Sequence, residues 1–317
     1  MFLVELQEVC DSYKSSLFHL NKLTLCTPVE RAATVKQPEK CMFPQAKIDG
    51  SENLWKPVVL REVRNTDAVF GKNTIEARFN LYGALQHSGL DVGQFVGLRG
   101  NMEGETLQGY FSPITRPDDE GVIGILARKD EKGGPITKLL NHIRPGSVLY
   151  MCAMGGLRLR FEKNSIKYRG KEIKRIGLLA GGTGIAPMIQ IIRAFGDFVR
   201  KAGQKANGYK MNLVFAAEGE HDVSYMKVLN DVKQSFPTYF SYYIKLNNPP
   251  LGWTEGVGFI ETRDIKARMF HPAESHDLCV LCGPPIFERS MMKLLNKNGF
   301  EKNQIFSFST MDRVSAK

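Results

Sequence analysis

Between Lys56 and Tyr168 the chain is written in short apolar runs, β-branched or aromatic, each closed by Gly, Asn, Asp or Pro. Val58–Arg64, Thr74–Asn80, Gln94–Arg99, Gly121–Arg128 and Val148–Met151 read as strands, spaced as in an antiparallel barrel or sandwich. One helix, Pro135 to about His142, interrupts them. From about Lys174 the pattern changes to apolar strands alternating with amphipathic helices. The strands are Arg175–Ala180, Asn212–Ala217, Phe240–Leu246, Leu278–Cys282 and Gln304–Ser309. The helices run from the first of these to about Lys201, over Ser224–Ser235 and over Pro285–Asn298. That alternation specifies a doubly wound parallel sheet. In its first helix Ile185, Met188, Ile189, Ile192 and Phe195 share one face, which makes them core.

The first 54 residues are weakly patterned. Leu3, Leu6 and Val9 fall on one face of a short helix, and the stretch turns polar at Lys36–Lys40. It reads as an extension that packs on the body or on a partner, with no chemistry of its own. The expected division is therefore an extension over 1–54, an antiparallel β-barrel over 55–168 and an α/β domain over 169–317.

Composition changes this picture little. The 317 residues, 43% hydrophobic and 24% charged, suit about two ordinary globular domains. No apolar run approaches the roughly 20 residues of a membrane span. The run Met1–Val4 is too short for a signal-peptide core, and Glu5 and Glu8 follow at once, which also argues against a transit peptide. A soluble or peripherally attached protein is expected, with the compartment open between mitochondrion and cytoplasm. The net charge of +10 comes from scattered residues without a nucleic-acid-binding signature. An acidic protein partner and a mitochondrial setting account for it equally. Cys279-Val280-Leu281-Cys282 spells C-x-x-C, but it lies in an apolar strand whose alternation sends the two thiols to opposite faces. It reads as core, and no metal site is expected.

Two motifs carry candidate chemistry. In Leu178–Pro187 (LLAGGTGIAP) a buried strand runs into a glycine turn and then a helix. Glycines let backbone approach a ligand, and a helix start offers unpaired N–H groups and a positive dipole end to phosphate. Pro187 suits a first helical turn. In Cys282-Gly283-Pro284-Pro285 a second buried strand ends in a tight turn before a helix, again at the carboxyl edge where open α/β sheets bind ligands. Taken singly, each serves structure as readily as function.

Together, in that order and behind a β-rich region, the two motifs resemble those of the ferredoxin–NADP reductase superfamily, and within it of the cytochrome b5 reductases. The resemblance spans about residues 56–309 and includes Trp253–Phe259 (WTEGVGF). More narrowly, Ala84–Leu90 (ALQHSGL) and Tyr110–Thr115 (YFSPIT) are similar to the reductase module of protist NADH-dependent fumarate reductases. The resemblance implies FAD in the barrel, NADH in the α/β domain and the two rings meeting between them. Hydride then passes from nicotinamide to flavin, and electrons leave to a protein or small-molecule acceptor. A cytochrome b5-like haem protein, a fumarate-reductase-like partner or a larger complex would supply that acceptor.

It also implies site residues. The flavin motif R-x-Y-[ST] is matched by Gly109-Tyr110-Phe111-Ser112. Ser112 stands where a hydroxyl bonds the reactive edge of the flavin, and Phe111 keeps a ring to lie against it, followed by Pro113. Gly109 lacks the phosphate-binding Arg, a charge that Arg128 or Lys129 could restore. The Gly-rich turn before the barrel helix, Gly133-Gly134-Pro135-Ile136-Thr137, matches the pyrophosphate cradle. In the nucleotide domain Gly181, Gly182, Thr183, Gly184 and Pro187 take the NADH pyrophosphate. Asp222 matches the acid that accepts the adenosine ribose hydroxyls, which implies NADH over NADPH. Cys282, Gly283 and Pro284 border the nicotinamide, so Ser112 and Cys282 are the candidate catalytic residues. Two readings compete with an active NADH:acceptor reductase: a scaffold or complex subunit that has lost flavin, and a module that senses NADH without turnover.

Overall fold

The computed structural model describes residues 41–43, 55–66, 71–129, 134–270 and 276–309. The helix expected near Leu3 and the first cradle glycine, Gly133, lie outside them.

The first sheet is antiparallel throughout. Its strands are β1 (Lys56–Asn65), β2 (Thr74–Asn80), β3 (Val92–Met102), β4 (Glu105–Phe111), β5 (Val122–Arg128), β6 (Val148–Phe161), β7 (Ile166–Tyr168) and β8 (Lys171–Glu172). They lie in the order β4-β3-β6-β1-β2-β5, with β7 and β8 added beyond β6. An isolated bridge between Pro113 and Ile125 brings the exit of β4 against β5, coiling the sheet into a half-barrel. Val58, Leu60, Phe79, Val96, Leu98 and Ile123 fill its interior. Helix α1 (Pro135–His142) closes it with Ile136, Leu139 and Leu140. The three described residues of the expected extension belong to this body. Met42 is fully buried in the barrel core, and Met42 and Phe43 donate their N–H groups to the carbonyls of His87 and Ser88.

Four barrel strands depart from expectation, β7 and β8 because pieces of 3 and 2 residues carry too little alternation to be read. β4 escapes the reading because its inward positions include Gly109, which weakens the apolar alternation. β6 was expected to stop at Met151 but continues to Phe161. Its Gly155-Gly156 pair looks like a turn but forms an irregularity in the pairing with β3. Gly156 has φ +127°, and a Cβ there would stand 2.6 Å from the Gly93 carbonyl, so a bulge replaces the turn.

The second sheet is parallel throughout. It comprises β9 (Arg175–Gly181), β10 (Lys210–Ala217), β11 (Phe240–Leu246), β12 (Gly256–Val257), β13 (Asp277–Cys282) and β14 (Ile305–Ser307). Its order is β12-β11-β10-β9-β13-β14. Helices α2 (Ile185–Ala202) and α3 (Met226–Ser235) cover one face. Helices α4 (Thr262–Arg268) and α5 (Pro285–Lys297) cover the other. Among the described residues no helix is long and apolar enough to cross a membrane. Successive strands step outward from β9 to β12, and the chain then returns to place β13 on the other side of β9. The order therefore reverses between β9 and β13, and ligands of such sheets bind at the carboxyl ends flanking that reversal.

The barrel and the α/β sheet share one core. Val92, Ile114, Leu126 and Leu157 from the barrel pack with Ile185, Ile189 and Ile192 of α2. Polar bonds fix the register of this contact. Gln190, buried in α2, accepts from Gly93 N–H at 2.8 Å and donates to the Thr115 carbonyl at 2.8 Å. Arg193 donates to the Ile114 carbonyl at 2.6 Å. At the other end Tyr225 donates to Glu76 at 3.0 Å from a left-handed backbone (φ 66°). Burial and the neighbouring Glu76 hold its phenol well above the usual range, which keeps it a donor.

Candidate functional site

The two glycine motifs meet at the reversal of the sheet. Register pairs Cys282 with Ala180, so β9 and β13 end side by side. A Cβ on Gly184 would overlap the Cys282 carbonyl and stand 2.7 Å from Gly283 N, and a Cβ on Gly283 would stand 3.2 Å from Gly181 Cα. The turns thus pass each other backbone to backbone, with the Phe287 ring packed over Gly181 and Gly283. Gly182, at φ +55°, opens onto free space. No side chain caps α2 and no acid lies in its first turn, so its positive end is left for an anion. Thr183 is half-buried beside it, and Pro187 is buried within the first turn of α2. Strand β5 of the barrel approaches the 182–184 turn, which brings the barrel to this edge.

Cys282 is partly buried, and burial reinforced by Glu288 pushes its thiol up, so the sulfur stays protonated. Cys279 packs with Leu179 and Leu281 on the opposite face from the core that Cys282 touches. The strand alternation read from C-x-x-C accounts for that separation.

On the barrel side, Phe111 and Ser112 are half-buried at the end of β4, and Pro113 is buried beside Ile125. A Cβ on Gly109 would overlap the side chain of Ile136 and stand 3.2 Å from the Phe111 ring. Ile136 thus occupies the space an arginine at position 109 would need, which accounts for the departure from the flavin motif. Helix α1 begins on Gly134, at φ +82° and facing open space, without a side-chain cap or an acid in its first turn; Thr137 is buried just inside. Uncapped N–H groups behind a glycine suit a pyrophosphate. Both helix starts therefore fit the phosphates of the two implied cofactors.

Arg128 and Asp222, expected on different cofactors, lie together. The guanidinium approaches the Asp222 carboxylate to 3.7 Å across the boundary, and Asn73 donates to the same oxygen at 3.1 Å. Sequence reasoning missed Asn73, whose backbone N–H also bonds the His221 carbonyl. It also missed Glu288, a carboxylate in the first turn of α5 that accepts from Gly283 N–H at 3.1 Å. An acid early in a helix is a common capping signal, and nothing in it announces a contact with the preceding turn.

Residues 64–157 match the oxidoreductase FAD-binding domain family and residues 178–293 the oxidoreductase NAD-binding domain family. The chain is 31% identical over 273 residues to an NADH-cytochrome b5 reductase 1 of Dictyostelium discoideum, covering 86% of this chain and 85% of that one. An NADH-cytochrome b5 reductase 1 of Mortierella alpina is 31% identical over 262 residues, 80% of this chain and 82% of the relative. The cytochrome b5 reductase domain of Ulva prolifera nitrate reductase has the same fold, with a TM-score of 0.71 at 24% identity over 80% of this chain and 97% of that one.

Proposed function

The chain belongs to the NADH-cytochrome b5 reductase family, and on that premise we propose which residues carry its reaction and which partner takes its electrons. It is an FAD- and NADH-dependent oxidoreductase that passes electrons from NADH by way of FAD to an acceptor. Bound FAD supplies a two-electron acceptor for the nicotinamide hydride and an outlet toward the acceptor. The meeting of the Gly181–Gly184 and Cys282–Gly283 turns, with β5 of the barrel at the same edge, is the observation that carries the reading. A flavin-free scaffold is disfavoured, because the FAD-binding match covers residues 64–157 of the barrel and α1 keeps its uncapped, glycine-led start.

In this reading the Gly181–Gly184 turn, with Thr183 and Pro187, seats the NADH pyrophosphate, and Cys282, Gly283 and Pro284 border the nicotinamide. Phe111, Ser112 and Pro113 face the flavin ring. Gly134, Ile136 and Thr137 cradle its phosphates, and Arg128 supplies the charge that Gly109 lacks. Cys282 shapes the ring's approach through a neutral thiol and makes no covalent bond. The Cys282→Ser variant is expected to retain FAD while flavin reduction at saturating NADH slows about tenfold, a barrier increase of about 1.4 kcal/mol. Stopped-flow absorbance measures this directly, and an unchanged rate removes Cys282 from the reaction.

Asp222 accepts the ribose hydroxyls through the oxygen that Arg128 and Asn73 leave open, and a 2′-phosphate would have to displace that carboxylate from Arg128 to be held there. We expect kcat/KM for NADH to exceed that for NADPH by at least about tenfold, a discrimination of about 1.4 kcal/mol. Equal values, or a preference for NADPH, would remove Asp222 from the nucleotide site.

The electron acceptor is an acidic protein, cytochrome b5 by the relatives' names. Arg158, Arg160, Lys167 and Arg169 line a cleft of about 530 Å³ along β6 and β7, where Lys167 is paired with Glu162. With the chain's net charge of +10, this basic wall supports steering of an anionic surface toward the barrel.

A further inference from the structure

Glu288 is held in a way its place in the chain does not require. Pro285 and Ile286, which open α5, are exposed, whereas the Glu288 side chain is buried, with 2% of its surface exposed. It is the fourth residue of a helix whose N-cap is Pro284, which has no N–H for a side chain to cap. The carboxylate reaches past that proline. One oxygen accepts from Gly283 N–H at 3.1 Å. The other accepts from Ser309 N–H at 2.9 Å and from the Ser307 hydroxyl. One buried group thus joins the Cys282–Gly283 turn, the start of α5 and the end of β14. The turn has little other freedom, because the Phe287 ring covers Gly283 on one side and Gly181 lies close on the other.

We propose that Glu288 is a positioning residue for hydride transfer, setting the Cys282–Gly283 turn through the Gly283 N–H and coupling it to the segment Ser307–Ser309. The inference rests on the reading that this turn borders the nicotinamide. A carboxylate suits the task because it offers several lone pairs and only accepts, matching three donors at once. An amide of the same shape presents an NH2 group to at least one of those donors. The Glu288→Gln variant should therefore fold and load FAD while holding the turn less firmly. Burial between three segments also makes local opening rare, so motion at one segment is felt at the others.

The test uses the FAD-loaded full-length protein and two variants, Glu288→Gln and Ser307→Ala, the second removing one donor outside the turn. Flavin reduction is followed by stopped flow with NADH and with NADH deuterated at the transferred position. Hydrogen exchange of the peptide containing Ser307–Ser309 is measured with and without NAD+. Glu288→Gln should slow flavin reduction about tenfold at saturating NADH, with an enlarged deuterium isotope effect and unchanged FAD occupancy. Ser307→Ala should shift the rate in the same direction by about threefold. In the parent, NAD+ should slow exchange at 307–309, and in Glu288→Gln that protection should vanish. A variant that loses only thermal stability, while rate, isotope effect and NAD+-dependent protection match the parent, overturns the proposal. If Cys282→Ser slows reduction and Glu288→Gln does not, this inference falls and the nicotinamide reading stands. If neither does, the reading itself falls.

Discussion

Lys245→Met is expected to lower the free energy of unfolding by about 3–5 kcal/mol, the cost of leaving a buried charge without its partner. Lys245 ends in an ammonium 2.7 Å from Asp264, and both are buried between β11 and α4. Asp264 also accepts from Glu261 N–H at 2.8 Å in the capping box that starts α4. Methionine fills the volume of the lysine stem but leaves the Asp264 carboxylate facing apolar surroundings. The double variant Lys245→Met/Asp264→Asn removes both charges and keeps an acceptor for the cap, so it should recover most of the loss. Urea denaturation of the three proteins measures the effect and its coupling. A single variant within about 1 kcal/mol of the parent, the value of an exposed pair, would mean that water reaches and screens the pair. The segment between β11 and α4 that this pair restrains contains Trp253–Phe259. That stretch is held from behind by the ion pair and by Glu255, which accepts from Ile244 N–H at 2.8 Å.

The second large effect concerns Gly184. An alanine there sets its Cβ into the Cys282 carbonyl and 2.7 Å from Gly283 N, and both obstacles are backbone. Side chains can turn aside, but two crossing turns cannot, so the carboxyl edge of the sheet must open. Overpacking of this kind costs about 1–3 kcal/mol. If the strain is relieved by parting the turns, NADH should bind about ten- to a hundredfold more weakly, at tenfold per 1.4 kcal/mol. Gly182→Ala is the matched control. Its φ of +55° makes alanine uncomfortable, but a Cβ there meets nothing, so the loss should be smaller. Calorimetric titration with NAD+ on FAD-loaded protein separates the two. Equal affinities for parent and Gly184→Ala, with both folded, would show that the crossing of the turns is immaterial to nucleotide binding.

The α/β half was legible because its central strands are buried on both faces and bounded by turn residues; the apolar run Leu278–Cys282 stands as β13, one residue longer at its start. Helix Pro135–His142 was equally clear, with proline at its start and an apolar face. The barrel was harder. Its residues alternate, and where a glycine takes an inward position, as at Gly109, the alternation fades although the strand persists. The pair Gly155-Gly156 is ambiguous in the sequence, since a bulge and a turn use the same residues. Helix α4 was not foreseen, because its start depends on the reciprocal cap between Glu261 and Asp264 and not on an apolar stripe. The glycine turns could be named from their motifs, but their crossing could not, since it depends on which strands lie side by side. Glu288 and Asn73 were invisible for a related reason: each matters through a contact with a segment that its neighbours in sequence do not reveal.

Gln190 has a bearing on how this chain could have been assembled. Its amide spends the carbonyl on one barrel strand and the NH2 on the loop after another, from inside a helix of the α/β half. A glutamate there could still accept from Gly93 but would repel the Thr115 carbonyl, and a leucine would orphan both backbone groups. The two halves are therefore not interchangeable parts. A recombinant joining this barrel to the nucleotide half of another relative would inherit a seam that closes only if the incoming helix brings an amide at the same turn. Such a seam favours descent of the two halves together, with substitutions along it accepted in pairs.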